Sequence, residues 1–210
     1  MLDIFIKGGP VMYPLLACSI LVLTVIIERS LFWISVNKHR NYSLIDEILE
    51  LCRAGDWESV RIKTKGSKDF IIKILVTGIV HREFSMTKAM ESAAAEEIRG
   101  LRRYMGVLDT MITVAPLLGI FGTVIGIIMS FEALGSAGIE HPQAVTAGIA
   151  QALITTATGL GIAILSVFPY NFFNSRIEKA ALNIEKYATS LEIVYEKLIQ
   201  PSITKKEDDA

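Results

Sequence analysis

The 210-residue sequence is poor in the groups that most soluble chemistry needs. It has two cysteines, Cys18 in an apolar stretch and Cys52 in a charged one, and three histidines, His39, His81 and His141, on separate segments. None has a neighbour at metal-site spacing, and two lone thiols make no disulfide framework. No glycine loop with a following lysine could cradle a phosphate, and no Ser-His-Asp set is present. The chain therefore reads as a non-enzyme without cofactor or metal. Charge is scarce as well: 20% of residues, against about 25% in soluble proteins. With 21 basic and 22 acidic residues the net charge is −1, so nothing draws it to nucleic acid. What abounds is apolar: 51% of residues, with a mean hydropathy of +0.45. Disordered chains lack such content. The expectation is an all-α integral membrane protein with a substantial water-exposed part.

Three stretches meet the need of a transmembrane helix for roughly 20 mainly apolar residues. They run from about Val11 to Ile27, closed by Glu28 and Arg29, from Thr110 to Phe131, and from Ala144 to Phe173. The basic residues orient them. Thirteen Lys/Arg fall between Asn37 and Leu108 and six after Phe173, while the connection from Glu132 to Gln143 has none. Positive residues stay cytoplasmic, which makes the N-terminus and the short loop 132–143 face outward. The first span has no basic leader and no cleavage site after it, so it reads as an uncleaved anchor. The resulting division is 1–36 (N-terminal segment and first span), 37–108 (cytoplasmic helical loop domain), 109–173 (spans two and three) and 174–210 (cytoplasmic C-terminal helix and tail).

The loop domain reads as helical. Leu44, Ile45, Ile48, Leu49, Leu51 and Cys52 mark one amphipathic helix that Ala54-Gly55-Asp56 ends. Weaker patterns follow at Trp57–Lys63 and Phe70–His81, split by Gly66-Ser67. From Thr87 an Ala/Glu/Arg-rich run leads into span two with only Gly100 and Gly106 against it. Ile177, Ala180, Ile184, Leu191 and Tyr195 continue span three at helical spacing. Both spans are expected to extend far into the cytoplasm; a single helix from Thr87 to Phe131 would be roughly 67 Å long. Its Ala-rich face suits packing within the protomer or between subunits.

Inside the spans, small and hydroxyl residues carry the information. Span two has Gly119, Gly122 and Gly126, the last two a GxxxG pair that lets helices approach closely in lipid, and Pro116, which removes a backbone donor and is expected to kink the helix. Span three has Gln151, Thr155, Thr156, Thr158 and Gly159. Gln151, Thr155 and Thr158 fall within about 60° of one another on a helix, and Thr156 sits apart beside Ala152, Gly159 and Ala163. A lone buried Thr is ordinarily satisfied by its own helix. A face with Gln and two Thr either locks helices together or lines a wet path. No Asp, Glu, Lys, Arg or His occurs between Thr110 and Phe131 or between Ala144 and Phe173, so a proton carried through these spans needs an acid from another polypeptide. Glu28 and Arg29, at the inner edge of span one, suit an interfacial or mutually paired role.

The run Ala115-Pro116-Leu117-Leu118-Gly119-Ile120-Phe121-Gly122-Thr123-Val124-Ile125-Gly126, with Gly148-Ile149-Ala150-Gln151-Ala152-Leu153-Ile154-Thr155-Thr156-Ala157-Thr158-Gly159-Leu160 and Glu28-Arg29, resembles the TolQ/ExbB/MotA proton-channel family, closest to its ExbB/TolQ branch. The resemblance covers nearly the whole chain. It implies an inner-membrane pentamer enclosing the single spans of an ExbD/TolR-type partner whose membrane Asp carries the proton. Thr123 and Thr156 match the family's pore threonines facing that Asp. Gln151, Thr155 and Thr158 join them as expected pore-lining residues. Motion of the partner would pass to a TonB- or TolA-like force transmitter. Gln151 stands where ExbB and TolQ sequences commonly carry Glu, and Gln cannot titrate. Two other readings are a non-conducting membrane scaffold and a flagellar-stator relative, although stator subunits of the MotA type usually have four spans.

Overall fold

The computed structural model describes the backbone of residues 2–137 and 142–207 and the side chains of 5–135 and 145–198. Among the described residues every regular element is a helix. In order these are α1 (Leu2–Lys7), α2 (Met12–Lys38), α3 (Tyr42–Arg53), α4 (Trp57–Thr64), α5 (Phe70–Val80), α6 (Arg82–Leu101), α7 (Met105–Ala137) and α8 (Pro142–Glu207). Three described segments are long and apolar enough to cross a membrane: Met12–Lys38, Met105–Gly135 and Val145–Leu198. Of the connection expected at 132–143, residues 132–137 continue α7 and 142–143 begin α8; residues 138–141, with His141, lie outside the described residues.

The chain divides into two compact units, Met1–Ser30 with Tyr104–Asn174, and Leu31–Arg103 with Ser175–Ala210. In the first, Leu15, Cys18, Val22 and Val25 of α2, Ala115 of α7, and Ala152, Ile162 and Ala163 of α8 are buried. The larger side chains point the other way: Leu117, Ile120, Phe121 and Val124 of α7 and Leu153, Leu160, Ile164, Leu165 and Phe168 of α8 are exposed. So many large apolar side chains left outside depart from the soluble pattern, and a bilayer or neighbouring subunits are what such a surface needs.

The second unit is built like a small soluble domain. Its core holds Ile45, Ile48 and Cys52 of α3, Ile71, Ile72 and Leu75 of α5, Met90 of α6, and Ile177 and Leu191 of α8. Local signals fix its helix ends. The Asn41 side chain accepts a hydrogen bond from the Leu44 N–H at 3.1 Å, Asp56 from Ser59 at 3.0 Å and Asp69 from Ile71 at 2.9 Å, each satisfying a donor that a helix N-terminus leaves open. Gly55 (φ 74°) and Gly66 (φ 81°) make the left-handed steps after α3 and α4, which cost glycine little. Burial pushes the Cys52 thiol up to about 11, because no water remains to solvate a thiolate.

One expectation is corrected. Thr87 to Phe131 is not one helix: α6 stops at Leu101, Tyr104 takes φ 63°, and α7 restarts at Met105. Gly100 and Gly106, the weak points of the sequence, both lie inside helices. The break falls on a tyrosine, where left-handed backbone is unfavourable by about 1–2 kcal/mol and which no propensity scale marks. What compensates is tertiary: the Arg29 guanidinium stands 5.6 Å from the centre of the Tyr104 ring. α7 runs on through Pro116 as one helix.

Candidate functional site

Two stripes of small residues meet between α7 and α8. Ala115, Gly119, Gly122, Gly126 and Ser130 follow one another at three- or four-residue steps along α7, and Gly148, Ala152, Thr155 and Gly159 do so along α8. Such steps keep residues on one helix face. The approach is close enough that a methyl group has no room. A Cβ on Gly119 would lie 3.0 Å from the Thr155 carbonyl oxygen and 3.0 Å from Thr156 Cα. On Gly126 it would lie 2.7 Å from the Gly148 carbonyl, and on Gly148 2.6 Å from that of Gly126. On Gly122 it would run into the Thr155 side chain, and on Gly159 into the Ala115 carbonyl. In lipid such packing, rather than hydrophobicity, holds helices together.

The hydroxyls are distributed around this seam. Thr155 is fully buried in it, and its hydroxyl donates to the Ala152 carbonyl at 2.9 Å. Thr156 is half-buried and crosses the seam: its hydroxyl donates to the Gly119 carbonyl at 3.1 Å. Thr158 donates to Ile154 at 2.8 Å and Thr123 to Ile120 at 2.6 Å, each within its own helix. Thr123 lies one turn beyond Gly119, so the bridge from Thr156 arrives beside it. Gln151 is half-buried against Gly9, where a Cβ would fall 2.7 Å from its amide carbon; its nitrogen is 3.9 Å from the Met129 sulfur. The seam thus brings Gly119, Gly122, Gly126, Gly159, Thr155 and Thr156 together, with Gln151 and Thr158 half-buried on the same helix.

The charged pair behaves differently. Arg29 is 1% exposed, and its Nε and Nη2 donate to the two carboxylate oxygens of Glu28 at 2.5 and 2.7 Å. A buried guanidinium requires such pairing, and the Tyr104 ring covers it.

The family model for the MotA/TolQ/ExbB proton channel family matches residues 67–186, which include the whole seam. The chain belongs to the MotA/TolQ/ExbB proton channel family. It is 34% identical to the ExbB-like 3 biopolymer transport protein of Synechocystis sp. over 90% of this chain and 92% of that protein. The ExbB homolog of Methanothermobacter thermautotrophicus is 32% identical over 88% of this chain and 66% of that protein. A TolQ of the Tol-Pal system from Haemophilus influenzae is 43% identical over 43% of this chain and 40% of that protein. Within the family these likenesses place the chain in the ExbB/TolQ branch.

For this member of the MotA/TolQ/ExbB family, several seam residues escape sequence reading. Gly148 mirrors Gly126 but stands alone in sequence. Ser130 is buried and donates to the carbonyls of Gly126 at 2.9 Å and Val145 at 3.1 Å. The spacing 148, 152, 155, 159 is the signal that could have found Gly148, and Ser130 prolongs the α7 spacing 115, 119, 122, 126 by one more step.

Proposed function

We propose that this chain is the channel subunit of an inner-membrane motor driven by the proton motive force. The observation that carries the reading is the conjunction of hydroxyls and an amide on α7 and α8 with no ionisable side chain between Thr110 and Phe131 or between Ala144 and Phe173. A proton relay needs a titrating group, so the acid comes from a partner: a single-span protein of the ExbD/TolR type with a membrane Asp. Thr123 and Thr156 face that acid, and Gln151, Thr155 and Thr158 line or support the pathway. The subunit assembles as a homopentamer around the partner. The N-terminus is periplasmic, and residues 37–108 and 174–210 are cytoplasmic, with α6 and the second half of α8 extending there. Nineteen of 21 basic residues in those segments support this orientation. Force then passes to a TonB- or TolA-type protein, for uptake or for envelope maintenance.

The test is proton flux in proteoliposomes containing the chain and its partner. Thr123→Val and Thr156→Val keep the side-chain shape and remove the hydroxyl; both are expected to abolish flux while the complex still assembles. Undiminished flux in both variants would exclude the pore role. A second reading has its own support, since the hydroxyls of Thr123, Thr155, Thr156 and Thr158 all bond to backbone carbonyls. On that reading the chain is a non-conducting scaffold, and the same substitutions alter assembly alone.

A further inference from the structure

Away from the α7–α8 seam, the second unit contains a cavity of about 170 Å³, well above the ~10–15 Å³ that one water requires. Trp33 of α2, Arg40 and Tyr42, Phe70 of α5, and Arg176 and Lys179 of α8 line it. Three of these six are cations. Arg40 is the unusual one. Its side chain is 10% exposed, with the guanidinium carbon 5.0 Å from the centre of the Tyr42 ring and 4.6 Å from that of Phe70. The carboxylate of Asp69 stands 3.9 Å from its Nε, beyond hydrogen-bond range, and its two oxygens already accept from the N–H groups of Asn41 at 3.0 Å and Ile71 at 2.9 Å. Arg40 Nε and Trp33 Nε1 are therefore buried donors with no acceptor among the described residues. Buried donors without acceptors are rare and costly, and here both belong to residues that line one basic cavity.

The chemistry that answers this site is an oxyanion, and the position of the cavity along the chain selects its carrier. Arg176 is the first charged residue after the uncharged stretch Ala144–Phe173, and Trp33 stands in the short apolar run Leu31–Ile34 that follows Glu28 and Arg29 in α2. Tryptophan gathers where hydrocarbon meets headgroups. Leu31 and Ile34 of α2, 63% and 65% exposed, offer apolar surface on the same stretch of helix, which a free ion has no use for. None of the described residues that line the cavity is acidic. We infer that the cavity holds the headgroup phosphate of an anionic phospholipid of the cytoplasmic leaflet, with Arg40, Arg176 and Lys179 as its cations and the acyl chains outside. Basic pockets on the cytoplasmic side of membrane helices suit such headgroups. The inference rests on the membrane orientation proposed above and not on proton conduction.

Native mass spectrometry of the delipidated full-length protein, titrated with phosphatidylglycerol or phosphatidylcholine, tests it without any flux measurement. One phosphatidylglycerol per chain is expected to bind at least tenfold more tightly than phosphatidylcholine. Arg176→Gln with Lys179→Gln, both at exposed positions, should remove that preference, whereas Lys65→Gln with Lys68→Gln should keep it. Trp33→Phe, which retains an aromatic ring and loses the N–H, should weaken binding severalfold. Equal binding of the two lipids overturns the inference, as does a preference that survives the Arg176/Lys179 substitutions. Displacement of the lipid by millimolar inorganic phosphate overturns it too, by assigning the site to the free ion.

Discussion

The hydroxyl of Thr156 donates to the carbonyl of Gly119 across the seam of α7 and α8, at 3.1 Å. The same glycine whose missing Cβ admits α8 thus also receives its hydrogen bond, so packing and polar contact depend on one another. Thr156→Val keeps the volume and deletes the donor. Interhelical hydrogen bonds of membrane proteins are worth about 0.6 kcal/mol on average and rarely above ~1.7, so a modest fall in the thermal midpoint in detergent is expected. Thr156→Ser should restore most of it. If Thr156→Ser recovers stability and proton flux together, one hydroxyl serves both; recovery of stability alone would separate the two roles.

The glycines of these two helices should divide into two classes on substitution by alanine. Gly119, Gly126 and Gly148 have backbone atoms within about 3 Å of where the methyl would go, and backbone does not yield as a flexible side chain does. Overpacking of this kind typically costs 1–3 kcal/mol. Gly106 and Gly161 are helical as well, but nothing lies within 4 Å of their added Cβ. There alanine is expected to stabilise by about 0.5–1 kcal/mol through the backbone entropy that glycine loses on folding. Thermal unfolding of the five single variants in one detergent checks the division; a loss at Gly161 as large as at Gly126 would contradict it.

Tyr104 makes a sharper case, because its two contributions have opposite signs. Its φ of 63° is unfavourable for any side chain, while its ring covers the Arg29 guanidinium, a contact of about 0.5–2 kcal/mol. Tyr104→Phe keeps both and should resemble the parent. Tyr104→Gly loses the contact and relieves the backbone, so the two changes largely offset. Tyr104→Ala loses the contact and keeps the strain, and should be the least stable of the three. Thermal midpoints in the order Phe, Gly, Ala are expected; an alanine variant as stable as the glycine variant would show that the backbone at this position carries no strain.

That break also shows what sequence periodicity can and cannot read. The helix over Ile45, Ile48, Leu49 and Cys52 was legible because one face is apolar and Ala54-Gly55-Asp56 ends it. The spans were legible because length and charge decide them. The break at Tyr104 was not, since tyrosine is no helix breaker and the contact that holds it comes from Arg29, 75 positions earlier. The seam was half legible. Gly122 and Gly126 announce a close approach, but only the three-dimensional register shows that Gly148 and Thr155 are what approaches them. Hydroxyl partners were the least legible: four threonines share one chemistry, and only Thr156 reaches the neighbouring helix.

Cys52 gives a prediction that depends on pH. Its side chain is fully buried in the core of the second unit, and its thiol titrates near 11 instead of the ordinary 9.0. At pH 8 only about one folded molecule in a thousand carries the thiolate, against roughly one in ten for an unshifted thiol, and the thiolate is the nucleophile. Alkylation of Cys52 by N-ethylmaleimide, followed by peptide mass spectrometry, should therefore be slow in the folded protein and accelerate strongly in denaturant. The raised value also sets a sign. Between about pH 9 and 11 the unfolded chain has released this proton while the folded one retains it, so the folded state binds more protons and loses stability as pH rises. Below pH 9 the thiol is protonated in both states and contributes no slope. Cys52→Ala is expected to flatten the decline of the thermal midpoint across that alkaline window, after its own packing loss is subtracted at pH 7. An unchanged slope, or fast alkylation at pH 8 without denaturant, would mean that water reaches the core beside α3 and that burial does not control this thiol.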